Sequence, residues 1–174
     1  MKEQKEHPFV SSLERLRDAK DRAALARLRR GLGKRIGTPA MFSYVVPYLP
    51  ASESDKELYF LVASLFAMHP AASPRGVSLG AVFAKMWEEN NRSDSIEKRF
   101  TNLLSADPAD IGGHLRHAVS LAKSRDIPVD YHRLFYDMKY WDHPDRFVQL
   151  AWARDFWGAV KNLARENDIK EEKR

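Results

Sequence analysis

Ser54-Asp55-Lys56-Glu57-Leu58-Tyr59-Phe60-Leu61-Val62-Ala63-Ser64-Leu65-Phe66-Ala67-Met68-His69-Pro70 is the stretch whose reading decides the fold. Ser54 to Glu57 has the polar and acidic character of a helix start. Leu58, Leu61, Val62, Leu65 and Phe66 then recur at helical spacing, and Pro70 ends the run because it can neither donate the next hydrogen bond nor fit the turn. A helix this apolar is expected at the centre of a core.

The same punctuation repeats outward in both directions. Toward the amino end, Ser11-Ser12-Leu13-Glu14 reads as a capping box. Asp21 reads as the cap of a second helix that Gly31 stops in a left-handed conformation, and Thr38-Pro39 as the start of a third, closed by Pro47 and Pro50. Toward the carboxyl end, Ser73-Pro74-Arg75-Gly76 is turn-rich and a short helix is expected from Leu79 to Trp87. Helices are also expected over Ile96–Leu104, from Asp107-Pro108 to about Lys123, from Pro128-Val129-Asp130 to Trp141, and from after Asp142-His143-Pro144 to about Glu166. The charged run Glu166 to Arg174 is expected to fray. Apolar Tyr44-Val45-Val46 is ambiguous, but no convincing alternating strand appears, so the expected class is all-α, with about eight or nine helices in two small packed bundles. Glu88 to Ser93 is the most polar break, and it sets the expected boundary between a bundle over 1–90 and another over 91–174.

The 174 residues contain no cysteine, which excludes a disulfide framework, a thiolate zinc site and a cysteine nucleophile. Met1 to His7 is polar and no long uncharged apolar run occurs, so a soluble cytoplasmic protein without membrane contact is expected. The charge is uneven. Nine cations (Arg15, Arg17, Lys20, Arg22, Arg27, Arg29, Arg30, Lys34, Arg35) face only Asp18 and Asp21 in one stretch, an excess of seven in a chain whose net charge is +5. Such clustering suits a repeating phosphate array or, less interestingly, a solvated helix face. On a helical wheel Ala24, Leu25 and Leu28 share one side, while Arg22, Arg27, Arg29 and Arg30 fan over the remainder. Gly31-Leu32-Gly33-Lys34-Arg35 extends the basic surface into a loop whose glycines admit a close phosphate. The spacing is not that of a P-loop.

Other candidates have less support. The aromatics from Tyr131 to Trp157 could stack on unpaired bases, but helical spacing favours core packing. His114 and His117 stand three apart without a third metal ligand, and Asp142 and Asp145 near His143 and Asp137 read as a helix cap and a first-turn acid rather than a metal-holding cluster. No nucleophile, base and orienter can be assembled, so neither enzymatic activity nor a cofactor or metal is expected.

Leu28-Arg29-Arg30-Gly31, Gly76-Val77-Ser78-Leu79-Gly80, Ile96-Glu97-Lys98-Arg99-Phe100 with Leu103-Leu104, His114-Leu115-Arg116, Ile127-Pro128-Val129-Asp130-Tyr131 and the segment Trp141 to Trp157 occur in this order. Together the series resembles the CasB family, the small subunit of the type I-E CRISPR Cascade complex, over roughly residues 20 to 160. The resemblance implies a non-catalytic, all-helical subunit present as a pair, beside the crRNA-bound backbone subunits and the large subunit. It also implies contact with crRNA and target DNA, where the subunit helps hold the displaced strand of the R-loop. By position, Arg29 and Arg30, Lys98 and Arg99, Arg116, and Arg146 fall on the family's basic positions. Lys34 and Arg35 are included on charge alone, and the polar segment 86–95 carries no assignment. The competing expectation is an assembly subunit whose basic surface meets acidic patches on partner proteins.

Overall fold

In a computed structural model the described residues are 6–53 and 55–172; at 163, 164 and 166–172 the description is of the backbone alone. They form an all-α protein. Among them are nine α-helices, which are α1 (Pro8–Asp18), α2 (Arg22–Arg29), α3 (Phe42–Val45), α4 (Lys56–Met68), α5 (Leu79–Glu89), α6 (Asp94–Leu104), α7 (Ile111–Ser124), α8 (Tyr131–Lys139) and α9 (Phe147–Glu172). Short 3-10 turns, Pro39–Met41 and Val46–Tyr48, flank α3. No strand occurs among the described residues, and Tyr44-Val45-Val46 is helical.

The central helix is α4. Tyr59, Phe60 and every residue from Val62 to Ala67 are buried, so the helix is covered nearly all round. It packs on α2, α7 and α8, with lesser contacts to α1 and α3, while α5 lies along α9 and against α6. The buried side chains form one cluster running from Phe9 to Phe156. The carboxyl end of α4 is closed by a distant residue. The Tyr131 hydroxyl lies 2.9 Å from the Leu65 carbonyl and 3.0 Å from that of His69, taking up acceptors that a helix end leaves open. Full burial pushes the Tyr131 phenol upward, so it stays a donor.

Several local expectations are corrected. Helix α1 starts at Pro8 with His7 as its cap, Nδ1 accepting from the Phe9 amide, so Ser11 and Ser12 lie inside the helix and form no capping box. Glu14 is held instead by Arg75, whose Nη1 and Nη2 donate to it at 2.9 and 2.8 Å, and by His132 Nε2 at 3.2 Å. Because His132 Nδ1 accepts from the His7 amide at 2.8 Å, the proton on that ring sits on Nε2, facing Glu14. Gly31 does not end α2 in a left-handed conformation; its role is steric, since a Cβ there would run into Met41 Sδ and stand 2.7 Å from Ser64 Oγ. The third helix is broken into 3-10, α and 3-10 turns, with Pro47 inside the last. Helix α7 begins at Ile111 because Asp107-Pro108 makes a turn in which the Asp107 carbonyl accepts from the amides of Asp110 and Ile111. Asp142 and Asp145 precede α9, which starts at Phe147, so neither is a cap or a first-turn acid. The same helix continues to Glu172, past the point where fraying was expected. The part of the α4 start assigned to Ser54, the residues Met1 to Lys5 and the last two residues of the tail lie outside the described residues.

The Glu14 contacts set an acid sensitivity. The Arg75 hydrogen bond, aided by His132 and opposed by partial burial, lowers its pKa from 4.5 to about 2. A carboxylate with a depressed folded pKa contributes stability above the unfolded value and loses it as pH falls through the folded one. Thermal melts of wild type and Glu14→Gln should therefore differ most above pH 5 and converge by about pH 2. A gap that widens on acidification would contradict the Arg75 pairing.

Candidate nucleic-acid interface

Helix α2 forms because Asp21 caps it, Oδ1 accepting from the Ala24 amide at 2.9 Å, and because Ala24 and Leu28 are fully buried against α4. Leu25 packs partly on the same core. The opposite side is left to Arg22, Arg27, Arg29 and Arg30, in agreement with the wheel: all four are exposed. Arg27 Nη1 donates to the Tyr44 hydroxyl at 2.8 Å, which fixes that guanidinium against α3. The chain then turns through Gly33 and Gly37, at φ +76° and +61°, conformations that favour glycine, and carries Lys34 and Arg35 outward. Arg35 is engaged by Glu57 of α4.

Arg116 of α7 joins this surface from 83 positions further along the chain. Its Nη1 lies 2.9 Å from where a Cβ on Gly33 would stand, so the guanidinium rests in space the glycine leaves empty. The fold thus brings Arg116 to the loop that carries Lys34 and Arg35, a meeting that spacing alone does not show. Lys98 and Arg99 are exposed on α6. Arg99 edges a cavity of about 270 Å³ between α6 and α7, shared with Asn102, His114 and His117. Arg146 is exposed, with φ +48°, in the turn before α9, a helix that packs chiefly on α5, so it belongs to a different element group. Among the described residues no carboxylate forms an ion pair with Arg22, Arg27, Arg29, Arg30, Lys34, Lys98, Arg99, Arg116 or Arg146. Arg75 and Arg133, in contrast, are tied to acids and serve the fold. An unneutralised guanidinium retains its full field for an incoming phosphate.

The remaining candidates resolve into structure. Tyr131, Phe135, Trp141, Trp152 and Phe156 are buried, as core packing requires, whereas Tyr140, Phe147 and Trp157 stay partly exposed. Asp137 is buried and accepts from Arg133 Nε and Trp152 Nε1, so it belongs to the core. No group of three or more potential ligands is placed to hold a metal among the described residues. None of the described helices is long and apolar enough to cross a membrane.

The family model of CRISPR-associated protein Cse2 matches residues 24–157 of this sequence. The chain belongs to the Cse2 family. A Cse2 protein of Thermus thermophilus is 36% identical over 156 residues, covering 87% of this chain and 89% of its own. The crystal structure of CasB from M. ruber superposes with a TM-score of 0.76 at 28% identity, over 95% of this chain and 99% of that one. A chain of a CRISPR RNA-guided surveillance complex gives 0.77 at 26%, over 91% and 95%. The Cse2 match and the CasB likeness converge on the family that the ordered sequence fragments resemble. The matched span includes Arg27, Arg29, Arg30, Lys34, Arg35, Lys98, Arg99, Arg116 and Arg146 of this Cse2-family chain, while Arg22 lies just before it.

Proposed function

We propose that this chain is the non-catalytic small subunit of a type I-E Cascade surveillance complex, where it binds nucleic acid without sequence preference and steadies the displaced DNA strand of the R-loop. The observation that carries this reading is the exposed surface of α2 and its following loop, joined by Arg116 and, among the described residues, left without an ion-paired acid apart from Glu57 at Arg35. Guide pairing supplies sequence specificity in such complexes, so the protein needs charge along an opened strand rather than a base-reading motif. Family membership and the likeness to a chain of a surveillance complex support the setting. In this reading the chain works in the cytoplasm beside crRNA, target DNA, the backbone and large subunits and a second copy of itself, with no cofactor.

The test is R-loop formation by the full complex carrying wild-type subunit or the Arg29→Glu/Arg30→Glu double variant. Both should be incorporated equally, with helicity unchanged, but the variant should lose the opened-strand state. Two lost single-strand phosphate contacts should also make the salt dependence shallower by about 1.4 in log–log slope. Equal R-loop stability would refute the clamp and leave a structural spacer. That second reading has one observation in its favour: Phe42 and Val46 on and beside α3 are 41% and 48% exposed, as side chains awaiting a protein partner are. Charge reversal that blocks incorporation, rather than strand capture, would select it.

A further inference from the structure

We propose that the groove between α6 and α7 is a nucleobase pocket, which takes one unpaired base of a single strand whose backbone crosses α7; this rests on the single-strand reading above. Arg99, Asn102 and Leu103 of α6 form one wall, at a spacing that places them on one helix face. His114, His117, Ala118 and Leu121 of α7 form the other, and Phe83 of α5 closes the floor. The volume is about 270 Å³, just below the ~300 Å³ at which sites for drug-sized ligands begin, which is room enough for one base.

The chemistry of the lining separates an upper and a lower zone. Phe83, Leu103 and Ala118 are buried and apolar, suited to the face of a flat ring. Above them stand the Asn102 amide, which can both donate to and accept from a base edge, two imidazoles able to stack or donate, and the Arg99 guanidinium for a phosphate. Among the described residues no carboxylate lines the groove. A site for phosphate alone has no use for the apolar floor. A site for a hydrocarbon or an apolar peptide side chain has no use for four polar groups around the rim.

Helix α7 supplies continuity with the basic surface. On its wheel, Leu115, Val119 and Ala122 face the core, His114, Ala118 and Leu121 face the groove, and Arg116 falls on the opposite flank beside the Gly33 loop. The ridge between the flanks carries Gly113 and Ser120, and nothing lies within 4 Å of where a Gly113 side chain would begin. A strand held by Arg116 and the loop can therefore lie close across α7, about 10 Å wide, and drop a base into the groove on the far side. The contact is tolerant of sequence because every base has a flat face.

The experiment compares binding of the full chain to two single strands of equal length, an oligothymidylate and an abasic oligodeoxynucleotide with the same phosphates. The wild type should prefer the base-bearing strand roughly tenfold, the size of effect one base contact gives. Leu121→Trp, which fills the groove without changing charge, should abolish that preference and leave abasic binding in place. Asn102→Ala/His117→Ala alters only exposed or rim positions and should do the same, so a folding defect in the first variant does not shelter the idea. Equal affinity of the wild type for both strands overturns the pocket while leaving the basic surface intact; failure to bind either strand overturns both. Thymidine monophosphate should bind far more weakly than the strand, which gains the phosphate contacts of a tethered ligand. A mononucleotide that binds as tightly as the strand overturns the proposal in favour of a free-nucleotide site.

Discussion

Gly80→Ala should lower the stability of the chain by about 3 kcal/mol, at the upper end of overpacking costs, because the added methyl would sit inside the backbone of a neighbouring helix. A Cβ on Gly80 would overlap the Trp152 carbonyl oxygen and lie 2.7 Å from its carbonyl carbon. No rotamer change relieves a clash with backbone, so α5 and α9 must separate where they lie along each other. The seam is also pinned beside this point. The Ser78 hydroxyl caps α5 through the Ala81 amide and donates to Asp155 of α9, so separation strains a second attachment. For a chain of this size the midpoint of thermal unfolding should fall by roughly 10 °C, and urea unfolding should shift to lower midpoint at unchanged slope. A variant that melts with the wild type would mean that the two backbones are not in contact.

Asp137→Ala should cost a similar amount, about 3 kcal/mol, for an electrostatic reason. The Asp137 carboxylate accepts from the Trp152 indole N–H at 2.7 Å and from Arg133 Nε at 2.9 Å to each oxygen. Trp152 is fully buried, so removing the acceptor strands a donor that water cannot reach, and leaves a half-buried guanidinium without its counter-charge. Asp137→Asn keeps an acceptor and should lose clearly less. Burial raises the pKa of this carboxyl from 3.8, against the lowering pull of Trp152 and Arg133. An acid whose folded pKa is raised costs stability as pH climbs from the unfolded value through the folded one. The deficit of Asp137→Asn relative to wild type should therefore be largest in acid and shrink toward neutrality, opposite in direction to the Glu14 effect. Denaturant midpoints at several pH values distinguish the two.

The parts of this molecule that were legible in the sequence are those decided within a turn or two of chain. Asp21 and Asp130 cap the helices they were expected to open, because each needs only an amide two or three residues on. The α4 stretch is a core helix because its apolar content leaves no face for solvent. The failures share a cause at longer range. Ser11 to Glu14 has the form of a capping box, but Arg75, 61 positions away, holds the glutamate. Gly31 has the form of a stop, but Met41 and Ser64 crowd it. The outward fan of the α2 arginines followed from the wheel alone, whereas the placement of Arg116 in the space above Gly33 depends on how α7 docks. The α6–α7 groove was invisible for the same reason: its lining residues are unremarkable until two helices are set side by side.

The closure of α4 by Tyr131 bears on how the chain is made. The carbonyls of Leu65 and His69 wait for a hydroxyl encoded 66 and 62 residues later. At roughly 5–20 residues per second, the helix leaves the ribosome several seconds before its own cap exists. Until then α4 can gather α1 to α3 and, later, α7, but not α8 or the hydroxyl that closes its end. A chain that stops short of Tyr131 thus lacks the donor for both carbonyls, and only synthesis past that residue can yield a closed α4.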